Sequence, residues 1–168
     1  MSTSPSTTSG VYTSSKNIAN SETSHTEAVR NLLTTCNLLD PASSAIGIFT
    51  NPDLQALYKQ LVAEGSQSLA AALYIGVTIE DLDIVDLQNS LAQTEQSDII
   101  TVYQNLMRGS SNHLRAFVST LEQQTGESYQ PQYLDQTTCN DIINSSNEKG
   151  QRLVSPTNRP GNGPRWNQ

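Results

Sequence analysis

Gly76-Val77-Thr78-Ile79-Glu80-Asp81-Leu82-Asp83-Ile84 is the stretch that decides how this chain folds. Around it Leu69, Leu73, Gly76, Glu80, Asp83, Leu87 and Leu91 recur at steps of three and four, the spacing that places side chains on one face of an α-helix. Two carboxylates, Glu80 and Asp83, interrupt that apolar face one turn apart. Burying an unpaired carboxylate is costly, so a helix with this face requires partners for its acids on neighbouring helices.

Two further segments have the same character. Ile18, Glu22, His25, Val29, Leu32 and Cys36 form one stripe, and Ile99, Tyr103, Leu106, Ser110, His113, Phe117 and Leu121 form another. Each carries polar groups, Glu22 with His25 and Ser110 with His113, where leucine would be expected. The boundaries follow from caps and breakers. Asn37 and Asp40-Pro41 end the first segment. Thr50-Asn51-Pro52-Asp53 starts a short helix through Leu54, Leu57, Tyr58, Leu61 and Val62, which stops at Gly65. Ser66 to Ser68 open the Glu80 helix, which runs to about Ala92. Ser97-Asp98 caps the next helix and Gly126 closes it. A brief helix is expected from Leu134 to Ile143. The fold class is therefore all-α, with three long helices and a short helix between the first and second, over residues 17–145. Residues 1–16 are rich in Ser and Thr and are expected to be disordered, and 146–168 form a flexible Pro/Gly/Asn-rich tail.

Composition narrows the function classes. The chain has 168 residues, a net charge of −7 and 35% apolar residues, enough for one domain with a real core. An acidic protein lacks the basic face that nucleic-acid binding demands. No run approaches the ~20 apolar residues that span a bilayer. Met1 to Gly10 has neither the basic nor the apolar region of a secretory signal, so a soluble protein is expected. Cys36 and Cys139 form no CxxC motif, which leaves either one disulfide or two buried free thiols.

The chemistry lies in the stripe interruptions. Glu22 and His25 stand at i, i+3, the Glu-x-x-His element with which helical bundles hold metal pairs. Glu80 and Asp83 have the same spacing, and His113 adds a second imidazole. Carboxylate oxygens and imidazole nitrogens from three helices suit iron, manganese or zinc. A lone Glu-x-x-His arises by chance on solvated faces; three coincident interruptions are the stronger signal. The competing interpretation is a metal-free buried network in which His25 and His113 pair with Glu80 or Asp83. Asp81 and Asp86 fall off the stripe and read as solvated surface acids, and Arg115 as a surface or neighbouring ion pair. Ser110 and Ser111 beside His113 do not make a hydrolase, since no Gly-x-Ser-x-Gly elbow is present.

Ser21-Glu22 with His25, the stretch Gly76 to Ile84 and the stretch Asn105-Leu106-Met107-Arg108-Gly109-Ser110-Ser111-Asn112-His113-Leu114-Arg115-Ala116-Phe117 resemble the ferritin-like family catalogued as domain of unknown function 2202. Phe49 to Pro52 and Pro131 to Leu134 are similar to its connecting segments. The likeness covers roughly Ile18 to Ile143. It implies a ferritin-like bundle, distantly similar to rubrerythrin, and a di-iron or related metal site held by Glu22, His25, Glu80, Asp83 and His113. The family has no settled activity; a ferroxidase-like or other di-iron oxidoreductase role is what the likeness suggests. Two departures stand out. Ser110 occupies the place of an expected glutamate. Nothing before Glu22 is acidic, so the first bundle helix and its glutamate are expected to be missing, with Val11-Tyr12 as its remnant. Such a truncated bundle would need a homodimer or a partner helix to cover its open face. The alternative function is a degenerate, non-catalytic helical module used for assembly or protein interaction.

Overall fold

The computed structural model describes the backbone of residues 5–145 and the side chains of residues 16–145. Residues 1–4 and the tail 146–168, expected to be flexible, lie outside the described residues. Among the described residues there are five helices and no strands: α1 Pro5–Thr35, α2 Pro52–Gly65, α3 Leu69–Ala92, α4 Ser97–Thr125 and α5 Gln136–Asn144. No helix among them is long and apolar enough to cross a membrane.

Helix α3 packs along α4, and this pair forms the centre of the molecule. Its direction follows from the side chains that meet. Asp83 faces Ser110, Glu80 faces His113 and Gly76 faces Phe117, so numbers fall on one helix as they rise on the other. The pair is antiparallel, as the short link from Gln93 to Gln96 requires. Gly76 is the point of closest approach; a Cβ there would stand 2.8 Å from the Phe117 ring. Helix α1 lies against α4, also antiparallel, with Glu22 at His113 and His25 at Gly109. Helices α2 and α5 pack on α3 and α4 respectively. The buried cluster comprises Leu73, Val77 and Ile84 from α3, Leu114, Val118 and Leu121 from α4, and Tyr129, Leu134 and Cys139 beyond.

The caps agree with the residues that form them. Asn51 accepts hydrogen bonds from the backbone N–H groups of Asp53 and Leu54 and starts α2 ahead of Pro52. Ser68 caps α3 through the Ala71 N–H. Gly126, at φ 75°, closes α4 in the left-handed conformation, and Asn37 takes a similar one (φ 55°) after α1. The start of α4 differs by one residue: Gln96 is the N-cap and makes no side-chain cap bond.

Three expectations are corrected. The segment expected to be disordered through residue 16 is helical from Pro5, so Val11-Tyr12 belongs to α1 rather than to a separate helix. Hydroxyl groups need not break such a helix. Thr23, Thr26, Thr34 and Thr35 each donate to the carbonyl four residues earlier, satisfying themselves along the helix wall. The Cys36 end of the first stripe is not inward: Cys36 is exposed and free, and only Cys139 is a buried thiol. Asp81 is fully buried, contrary to its expected surface position.

Candidate metal centre

Three of the five expected ligands converge. Each of Glu22, Glu80 and His113 offers one atom, and these atoms lie within 4.8 Å of one another. Helix α4 delivers His113 between the two acids. Its Nδ1 stands 2.9 Å from Oε1 of Glu22 and 3.3 Å from Oε1 of Glu80. The other oxygen of Glu22 faces the second imidazole, with Oε2 3.4 Å from Nδ1 of His25. The rings of His25 and His113 stack with centroids 5.6 Å apart. The carboxylate of Glu22 is therefore shared between two imidazoles.

His25 is held on both sides. Ser21 Oγ lies 3.4 Å from its Nε2, one turn earlier on α1. On α4 the ring rests against Gly109, where a Cβ would stand 2.4 Å from both Cε1 and Nε2. A side chain at 109 and an inward imidazole at 25 compete for the same space. The fifth residue, Asp83, does not join the converging group. It is exposed at the edge of the layer, where its Oδ2 accepts from Ser110 Oγ at 3.3 Å. The hydroxyl at position 110 thus holds a carboxylate from the facing helix, where the resemblance implies a glutamate on α4 itself.

The charges in this layer bias one another. Burial raises the Glu80 carboxyl above the ordinary range, and the attraction of His113 does not fully offset it. Glu22, with a side chain 45% exposed, loses less to desolvation, and the His113 imidazole holds its carboxyl below the ordinary value. Burial of His113 would lower its pKa, but Glu22 and Glu80 together outweigh this and push it up to about 9. Asp83 is exposed as a residue, but its carboxyl end is partly desolvated against Ser110, and this, with the nearby Glu22 charge, raises its pKa.

One geometric detail distinguishes this layer from a finished hydrogen-bond network. Oε1 of Glu22 and Nδ1 of His113 are close, yet neither has an aligned hydrogen-bond partner among the described residues. Their 2.9 Å contact is an ion pair whose hydrogen-bond alignment is poor, so a cation placed among the three side chains would offer these atoms a better-aligned partner. The donor set of Glu22, Glu80 and His113 suits iron, manganese or zinc.

Residues 10–146 match the family described as Uncharacterized protein domain (DUF2202). The chain belongs to this family. It is similar to the uncharacterized protein MJ0754 of Methanocaldococcus jannaschii, with 48% identity over 136 residues that cover 80% of this chain and 73% of that protein. The crystal structure of hypothetical protein MJ0754 from Methanococcus jannaschii DSM 2661 is similar at a TM-score of 0.77, covering 79% of this chain and 76% of that one. The fold of this DUF2202 chain is thus one that a relative adopts in a crystal.

A cleft of about 480 Å³ opens beside the layer in this DUF2202 chain. Glu22, His25 and Asp83 line it together with Arg30, Asp40 and the apolar Leu33 and Leu87. The layer is therefore reachable from solvent on the Glu22 side and closed behind by the α3–α4 seam.

Sequence reasoning missed Asp81. Its Oδ2 accepts from the Tyr129 hydroxyl at 2.9 Å and from the Gln132 and Tyr133 N–H groups, and its Oδ1 accepts from the Leu134 N–H at 2.8 Å. A carboxylate so surrounded tolerates burial because four donors, three on Oδ2 and one on Oδ1, replace its water shell. It clamps the loop after α4 onto the residue beside Glu80. Spacing along α3 carries no signal for this clamp, because its donors come from a loop about fifty residues later in the chain. Arg115 proves to be a tether rather than a surface charge: it donates to the Ile142 carbonyl, Ser145 Oγ and Asn112 Oδ1, tying α5 to α4. Asp86 is exposed, as expected.

Proposed function

We propose that this DUF2202 chain is a ferritin-like metal-binding protein whose centre is built by Glu22, Glu80 and His113, with His25 and Asp83 at its edge, and that the centre serves a di-iron or ferroxidase-like oxidoreductase activity. The observation that carries this reading is the convergence of Glu22, Glu80 and His113 from three helices, with one ligand atom of each within 4.8 Å of the others. Iron is the favoured metal, with manganese or zinc as alternatives. A bound iron ion supplies redox chemistry and open coordination positions. The residues then divide the work. Glu80 and His113 hold the buried side of the centre, Glu22 supplies a carboxylate with one oxygen toward His113 and one toward His25, and Ser110 orients Asp83. The cleft beside Glu22 admits what the centre acts on.

The same reading includes a cover for the open side. Val29 is 37% exposed on the rim of the cleft, whose lining mixes Leu33 and Leu87 with Arg30, Asp40 and Asp86, and a helix of a second copy resting on that rim would cover the open side while leaving the cleft itself for access. Light scattering of the purified protein tests for the dimer.

Metal analysis of protein purified without chelator tests the central claim. Bound iron, manganese or zinc that disappears in His113→Ala and Glu80→Gln supports it. Absence of bound metal, together with no thermal shift on adding any of the three, overturns it.

A second reading, the non-catalytic helical module, is favoured by Ser110 standing where an acid is expected and by the ion pairs His113 already makes with Glu22 and Glu80. On that reading both variants change stability and leave metal content unchanged.

A further inference from the structure

We propose that a second cleft, near the start of α3 and the end of α4, binds a small organic cation of the methylated-ammonium type. The cleft has a volume of about 570 Å³, within the range of small-molecule sites. It shares no residue with the metal layer, and Tyr74 on its wall lies six positions, ~9 Å, before Glu80 along α3.

Three features select the ligand. The first is aromatic. Tyr74 and Tyr129 meet edge to face with centroids 5.9 Å apart, and both line the cleft. Tyr129 is buried and fixed through its hydroxyl to Asp81, whereas Tyr74 is 40% exposed. A tyrosine ring left open on a cleft wall offers its negative face to a cation, and rigid backing by a second ring keeps that face in place. The second feature is charge. Glu64 and Glu127 line the cleft, and none of its lining residues is basic. An anionic ligand would meet two carboxylates with no counter-charge; a cation finds both. The third is the apolar part of the lining, where Ile75 and Leu121 suit methyl groups better than a strongly hydrated metal ion. A weakly hydrated ammonium carrying methyl groups fits all three.

The experiment titrates isotope-labelled protein with choline and, in parallel, with its uncharged isostere in which carbon replaces the quaternary nitrogen. Amide shifts are followed at Ala70, Ala71 and Tyr74. Choline is expected to perturb these positions and to bind more tightly than the isostere. Tyr74→Leu, which keeps the apolar volume at a half-open position, is expected to weaken choline by about fivefold with little effect on the isostere. Glu64→Gln with Glu127→Gln is expected to narrow the difference between the two probes. The result is expected to be the same in metal-loaded and chelated protein, so it is independent of the metal centre. Equal binding of the two probes, shifts confined to other surfaces, or no saturable binding of choline overturns the proposal.

Discussion

The imidazole of His25 occupies the space that a side chain at position 109 would need: a Cβ on Gly109 would stand 2.4 Å from both Cε1 and Nε2. The glycine on α4 is thus what allows a histidine on α1 to turn inward. Gly109→Ala is expected to push the imidazole out of the layer at a modest stability cost of about 1 kcal/mol, because the atoms that must move end a rotatable side chain. Metal affinity is expected to fall roughly tenfold, the lower range for losing a supporting contact. In a His25→Ala background the same substitution is expected to leave metal affinity unchanged and to raise stability by up to about 1 kcal/mol, since the clash is gone and alanine favours the helix interior over glycine. Chemical denaturation and metal titration of the single and double variants check this.

The His113 imidazole is pushed up to about 9 in the folded protein, above its ordinary 6.5, by Glu22 and Glu80. A group whose pKa rises on folding adds stability that is fully present below the unfolded value and is lost as pH climbs through the folded one. Chelated protein is therefore expected to lose about 2 kcal/mol between pH 6.5 and 9, a figure that allows for solvent reaching the layer from the cleft. Urea midpoints across that range check it. His113→Asn is expected to flatten the profile, and an unchanged slope in that variant would assign the effect elsewhere.

Asp81→Asn removes half of an anchor. The carboxylate accepts from the Tyr129 hydroxyl and from three backbone N–H groups. An amide has one acceptor oxygen and presents an NH₂ to donors it cannot satisfy, so a loss of roughly 2–4 kcal/mol is expected. Hydrogen exchange at Gln132, Tyr133 and Leu134 is expected to accelerate well before the α3–α4 seam opens. Uniform acceleration across both helices would contradict the local role.

The two thiols are expected to react very differently. Cys36 is exposed, whereas Cys139 is fully buried and burial pushes its thiol up to about 11. Native protein at pH 8 is expected to take up one equivalent of an alkylating reagent quickly and the second only on unfolding. Mass spectrometry with and without denaturant checks this.

The helical class, the order of long and short helices and the residues Glu22, Glu80 and His113 were legible in the sequence. A helix with carboxylates on its apolar stripe states that it needs partners, and i, i+3 spacing fixes which side chains share a face. Caps were equally readable at Asn51, Ser68 and Gly126, because each uses a side chain or a backbone conformation local to the residue. Periodicity failed at the N-terminus. A Ser/Thr-rich segment has no apolar stripe, yet Ser and Thr are compatible with a helix, as Thr23 and Thr26 show farther along α1, so composition alone underestimated α1.

Only the tertiary structure decided the rest. Whether an acid off the stripe is solvated or clamped depends on what packs above it, and Asp81 is claimed by a loop about fifty residues later in the chain. That Glu22 lies between two histidines, that Ser110 secures Asp83 and that Gly109 yields its place to His25 are facts of helix register. Sequence spacing sets which residues share a face along one helix. How far one helix slides against another is set by close packing at contacts such as Gly76 with Phe117, and that register determines which side chains meet.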